Sequence, residues 1–154
     1  MINDIGNAYF EIDSAAKSPP VRTLNITRML KANMENKNIF HREIRLEARY
    51  RVLIKNLLLD LSWAKLDEEL LEMADEGLEI AKFSGDMALY GMSLGGKAWA
   101  LAGLGRKDEG KKIFEKYVHL SYVLDGYAGF SLAAVKGDYE TYYKDEPLDL
   151  CIEW

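Results

Sequence analysis

Residues Met87–Leu124 read MALYGMSLGGKAWALAGLGRKDEGKKIFEKYVHLSYVL. The pattern is two amphipathic helices joined by a tight turn at Leu104-Gly105-Arg106. Gly105 suits the left-handed backbone that ends a helix, and Asp108 and Glu109 stand at the positive dipole end of the next. The first helix places Gly91, Gly95, Ala98 and Ala102 where a neighbour must come close. The second carries Ile113, Phe114, Tyr117, Val118, Leu120 and Ser121 on a 3.6-residue rhythm. This is a helical hairpin of the kind that repeat scaffolds stack, and nothing in it points to chemistry.

The chain has 154 residues, which predicts one domain over residues 1–154. Nearly half of the residues are hydrophobic and only three are proline, which favours a folded, helix-rich chain over a disordered one. A net charge of −5 argues against nucleic-acid binding by the chain as a whole. Cys151 is the single cysteine, so no intrachain disulfide can form and a reducing, cytoplasmic setting is expected. The start MINDIGNAYFEID has no basic segment followed by an apolar run, unlike a signal peptide. Val52–Ala64, the most apolar stretch, is too short and too charged at Lys55 and Asp60 to span a membrane.

Outward from the hairpin, helices are expected over Asn3–Ala15, from Pro20 to Met34, over Phe40–Ala64 and over Asp67–Phe83. Phe40–Ala64 is apolar nearly all round in its second half, which predicts a central helix packed on several sides. Asp67–Phe83 is amphipathic, with Glu68, Glu69, Glu72, Asp75, Glu76 and Glu79 expected in water. Ser84-Gly85-Asp86 stops it and supplies a cap for the next helix. Short helices are expected over Phe130–Val135 and Tyr139–Lys144. The alternately apolar and acidic tail Leu148–Trp154 is expected to cap the last hairpin.

The chain also matches itself at a spacing of 40 residues. Leu58 falls on Ala98, Leu61 on Leu101, Leu70 on Gly110, Ala74 on Phe114 and Gly77 on Tyr117, an internal repeat of helical hairpins. On these residues the chain resembles the tetratricopeptide repeat. Ile5-Gly6 and Tyr9 match that family's Leu-Gly-x-x-Tyr. Leu94, Ala98, Leu101, Gly105, Gly110 and Phe114 follow its Trp, Gly, Tyr, Gly, Ala and Phe slots in order, while Lys97 stands where a leucine is usual. Gly137-Asp138-Tyr139-Glu140 is the usual turn. The segments Glu43–Leu46, Leu70–Ala81 and Lys97–Leu101 resemble, more narrowly, the C-terminal helical domain of peptide-pheromone-sensing regulators of Gram-positive bacteria, the Rgg, PlcR and Rap types. The fold this resemblance implies is all-α, a short right-handed superhelical stack of antiparallel hairpins. The chain has no room for the DNA-binding domain of those regulators, so the expectation is a sensor half alone or a stand-alone relative. Ile5-Gly6-Asn7-Ala8-Tyr9 begins almost at the first residue, which suggests a natural start further upstream, or else a frayed first helix.

The resemblance places ligands on the inner face of the first helix of each hairpin. That face offers Asn7, Lys55, Asn56, Trp63, Trp99 and Tyr127, with Asn3, Leu59, Ser62, Met92, Gly95, Gly96 and Ser131 beside them. An asparagine amide can pair with the N–H and C=O of a peptide together. Lys55 could take a terminal carboxylate. Trp63 and Trp99 would form an aromatic floor for apolar side chains, or else pack in the core. Asn56 lies in a leucine-rich run, where a buried amide would need a partner.

Lys17–Lys55 is basic and Asp60–Asp86 acidic. Complementary faces of neighbouring helices explain this better than a nucleic-acid surface, because no aromatic interleaving marks the basic segment. His41 and His119 have no cysteine or acidic partner at ligand spacing, and no metal or cofactor is expected. Catalytic and phosphate-binding motifs are missing, and Gly91, Gly95 and Gly96 read as packing glycines. The functional expectation is a non-enzymatic module, the peptide-sensing and dimerisation domain of a bacterial transcription regulator. Its partners would be a short peptide and a second copy, with no direct DNA contact and no membrane. The alternative is an adaptor whose groove holds part of a partner protein.

Overall fold

The helix Asp67–Ser84 has its ends written locally. Asp67, Glu68 and Glu69 occupy the first turn, where negative charge meets the positive dipole end. Gly85 closes it at φ 73°, its N–H donating to the Ala81 carbonyl at 2.9 Å. Asp86 then caps the next helix, its Oδ1 accepting the Leu89 N–H at 2.9 Å, as the Ser84-Gly85-Asp86 sequence suggests.

The computed structural model describes residues 19–36, 48–124 and 139–143. Among them the α-helices are α1 (Pro20–Asn36), α2 (Ala48–Trp63), α3 (Asp67–Ser84), α4 (Met87–Gly103) and α5 (Lys107–Leu124), followed by a short π-helix, Tyr139–Tyr143. The described residues contain no strand, so the described fold is all-α. No described helix is long and apolar enough to cross a membrane. The helices expected over Asn3–Ala15 and Phe130–Val135, and the tail Leu148–Trp154, lie outside the described residues.

The central element is α4, which packs on α2, α3 and α5. The sequence pattern expects a central helix packed on several sides over Phe40–Ala64, and α2, its described part, does pack on α1, α3 and α4; the two helices differ in side-chain size. Gly91, Gly95 and Ala98 are buried and keep α4 narrow on several sides, whereas α2 buries Tyr50, Leu53, Ile54, Leu57, Leu58 and Leu61 and leaves Val52, Leu59 and Trp63 exposed. Two adjoining cores result. One joins Leu24, Leu57, Met73, Leu89 and others across α1 to α4; the second joins Leu94, Ala98, Phe114, Tyr117, Val118 and Tyr143. Each fully buried leucine or phenylalanine contributes about 1.5–3 kcal/mol.

The internal match at 40 residues is structural. Both members of all five residue pairs quoted for it are buried. The two hairpin turns also share their hydrogen bonds. Leu66 N–H donates to Leu61 C=O at 3.1 Å and Arg106 N–H to Leu101 C=O at 2.8 Å, the six-to-one bond that closes a helix end.

The expected short helix after Gly137-Asp138 is present as Tyr139–Tyr143. It docks through Tyr143, whose ring stacks on Phe114 with centroids 4.6 Å apart and whose hydroxyl donates to the Ala98 carbonyl at 2.9 Å. Gly110 makes room for it: a Cβ there would stand 2.6 Å from the Tyr143 hydroxyl and 3.0 Å from the Ala98 oxygen.

The basic and acidic segments pair with each other. Arg28 Nε donates to both Glu72 carboxylate oxygens at 3.0 and 3.1 Å, Lys31 Nζ lies 2.9 Å from Glu76, and Arg51 and Lys55 converge on Asp86. These pairs are the complementary helix faces expected from the charge pattern. Glu76 departs from the expectation that it faces water: it is 2% exposed. Lys31 reaches it from α1 and supplies the opposite charge that allows a carboxylate to be buried.

Candidate functional site

Helix α2 carries three of the six residues singled out from the sequence. Two of them, Asn56 and Trp63, are exposed on it together with Val52 and Leu59. The spacing 52, 56, 59, 63 follows one helical stripe. Val52 is 50%, Leu59 46% and Trp63 78% exposed, so this face presents apolar surface around one amide. The sequence argument that Asn56 is a buried amide in need of a partner does not hold, because its side chain faces solvent. Val52 was not legible as part of the stripe: in a run apolar nearly all round, nothing local tells which face neighbours leave open.

Lys55, the third, is half-buried beside the stripe and engaged at the junction of α2 with α4. Its ammonium lies 2.9 Å from Asp86 Oδ2, which also accepts Arg51 Nε at 3.0 Å. Burial raises the Asp86 carboxyl, but the Leu89 N–H, Lys55 and Arg51 together outweigh it and hold the group below its ordinary value. Lys55 therefore secures the α4 cap.

Trp99 is half-buried and packs against the first core, while Trp63 stands in solvent, so the two do not share one environment. Met92 packs against that core as well. Gly95 is buried against Tyr117, and Gly96 lies close to Leu70 and Leu58. The face of α4 that the resemblance assigns to ligands is thus largely used for packing, a consequence of its central place. Asn7 and Tyr127 lie outside the described residues.

A second feature was not read from the sequence. An open cleft of about 530 Å³ lies between α3, α4 and α5. Leu71, Leu101 and Ile113 give it an apolar lining, and Lys97, Arg106, Lys112 and Lys116 bring four positive charges against two negative ones, Asp75 and Glu109. Lys97 Nζ donates to Asp75 Oδ1 at 2.6 Å. Arg106 forms a two-point bond to Glu109, at 2.9 and 2.7 Å, which holds that carboxyl below its ordinary value. Lys97, which departs from the leucine usual in tetratricopeptide repeats, is the one sequence signal that pointed here.

The exposed α2 stripe can hold apolar side chains beside an amide that pairs with backbone, and the cleft can hold charge above an apolar lining. Among the described residues no group of three or more His, Cys, Asp or Glu is arranged to hold a metal ion. No known protein family, curated protein or solved structure matches the chain.

Proposed function

We propose that the chain is a non-enzymatic binding module whose α2 face receives a short peptide, the sensing and dimerisation domain of a bacterial transcription regulator acting in the cytoplasm. The hairpins would form a right-handed stack of the tetratricopeptide type. The observation that carries this reading is the exposed stripe of Val52, Asn56, Leu59 and Trp63. An apolar, aromatic surface with a single amide suits a hydrophobic peptide, whose side chains rest on the tryptophan while its backbone pairs with the asparagine. Binding there favours one arrangement of α2 against α4, and the change reaches an attached domain or the dimer as a shift in population.

The test is the thermal midpoint and solution mass of the chain with and without a library of short hydrophobic peptides. A ligand at about a hundred times its Kd stabilises the fold by about 2.7 kcal/mol, which raises the midpoint by several degrees. The rise is expected to vanish in Asn56→Ala and in Trp63→Ala, whose exposed side chains leave the fold intact. A stable dimer whose midpoint no peptide moves would overturn the peptide reading and assign the stripe to protein–protein contact.

A further inference from the structure

We propose that the cleft between α3, α4 and α5 is a second binding site, and that it takes an acidic segment of a partner protein that also carries leucine-type side chains. It shares no residue with the α2 stripe, so it stands or falls independently of the peptide reading above.

The argument is charge complementarity over an apolar lining. The chain is acidic as a whole, at −5, yet the cleft gathers four cations and two carboxylates, a local excess of two positive charges. Lys97 and Arg106 are committed to Asp75 and Glu109. Lys112 makes no ion pair among the described residues, and Lys116 follows one helical turn along α5, about 6 Å away by helix rise. A carboxylate of a partner can therefore be met by Lys112 on this wall, within the positive excess of the cleft, while apolar side chains cover Leu71, Leu101 and Ile113. Asp75 and Glu109 orient the cations and repel a uniformly anionic polymer. The lining has no aromatic ring on which a base could stack, which favours peptide over nucleic acid. The volume lies within the usual range for ligand sites.

The experiment measures fluorescence anisotropy of a fluorescein-labelled synthetic peptide, Asp-Glu-Leu-Asp-Asp-Leu-Leu-Glu, added to the full chain. Parallel probes replace its leucines by serine, replace its acids by lysine, or are a single-stranded oligonucleotide of eight thymidines. Binding is expected for the acidic, leucine-bearing peptide alone, weakened about tenfold in the Lys112→Glu/Lys116→Glu variant and unchanged in Asn56→Ala. Lys116 is half-buried, so the circular dichroism and thermal midpoint of the double variant are measured beside its binding; Lys112→Ala, at an exposed position, is expected to keep both at the parent's values and to weaken binding severalfold. Equal binding of the serine probe would overturn the apolar half of the proposal, and undiminished binding by the lysine variants would remove the site from the cleft. Tighter binding of the oligonucleotide would overturn the choice of partner class. Binding of the peptide only after residues 144–154 are deleted would overturn the choice of an external partner and give the cleft to the chain's own acidic end. A dimer of the parent chain that the double lysine variant dissolves would give it to a second copy.

Discussion

Lys65 and Gly105 occupy the same position in two successive hairpin turns: φ is +54° at Lys65 and +77° at Gly105. Lys65 N–H donates to Ser62 C=O and Gly105 N–H to Ala102 C=O, each at 3.1 Å. The left-handed backbone is open to glycine and strained for a side chain, so the first turn carries a cost that the second does not. Lys65→Gly is expected to raise stability by about 0.5–1 kcal/mol and Gly105→Ala to lower it by about 1 kcal/mol. In a chain of this size these are midpoint shifts of a few degrees in opposite directions. Calorimetry on both variants checks it, and a destabilised Lys65→Gly would show that its charge near Asp67 outweighs the strain.

Acid should unlock the α2–α4 junction. The Asp86 carboxyl is held below its unfolded value despite its burial, by the Leu89 N–H, Lys55 and Arg51. A group depressed on folding contributes stability that is present above its unfolded pKa, near 3.8, and is lost as pH falls through the lower folded pKa. Asp86→Asn keeps an oxygen for the Leu89 amide and loses the charge. It should cost about 1–2 kcal/mol at pH 7 and little at the acid end. Urea titrations across pH would show the two curves converging in acid; parallel curves would mean that the carboxylate charge has no part in the junction.

What the sequence made legible was local or periodic. Asp86 as a cap, Gly105 as a turn and the buried pairs forty residues apart all rest on neighbours within a few positions or on a repeat of the whole hairpin. The residues misread depend on elements far along the chain. Glu76 looks solvated on its own helix, and Lys31, brought from α1, gives it a counter-charge. Asn56 looks buried among leucines because an all-round apolar run does not say which face α3 and α4 cover. The cleft draws on three helices, so no single stretch announces it.

The Lys31–Glu76 pair gives a direct test of that long-range burial. Glu76 is 2% exposed and Lys31 Nζ lies 2.9 Å from its carboxylate. Lys31→Met removes the opposite charge from a buried anion, and about 2–3 kcal/mol of stability should go with it. The double variant Lys31→Met/Glu76→Leu removes both charges and should regain most of the loss. Denaturant unfolding of the single and double variants measures the coupling. Additive losses would mean that the two charges are stabilised separately.

Gly77 and Ser93 set how closely α3 can approach α4. A Cβ at position 77 would collide with the Ser93 hydroxyl, and the buried Ser93 Oγ has no hydrogen-bond partner among the described residues. Gly77→Ala should therefore lower stability by about 1–3 kcal/mol, as overpacking does, despite the better helix propensity of alanine. Ser93→Ala removes an unmet hydroxyl while keeping the Cβ, and should be neutral or stabilising by about 1 kcal/mol. The decisive variant is Gly77→Ala/Ser93→Gly, which exchanges the small residue across the interface. Its unfolding free energy should recover a large part of the Gly77→Ala loss, offset by about 1 kcal/mol for glycine within α4. Without that recovery, the spacing of α3 and α4 would have to be set by contacts other than this pair.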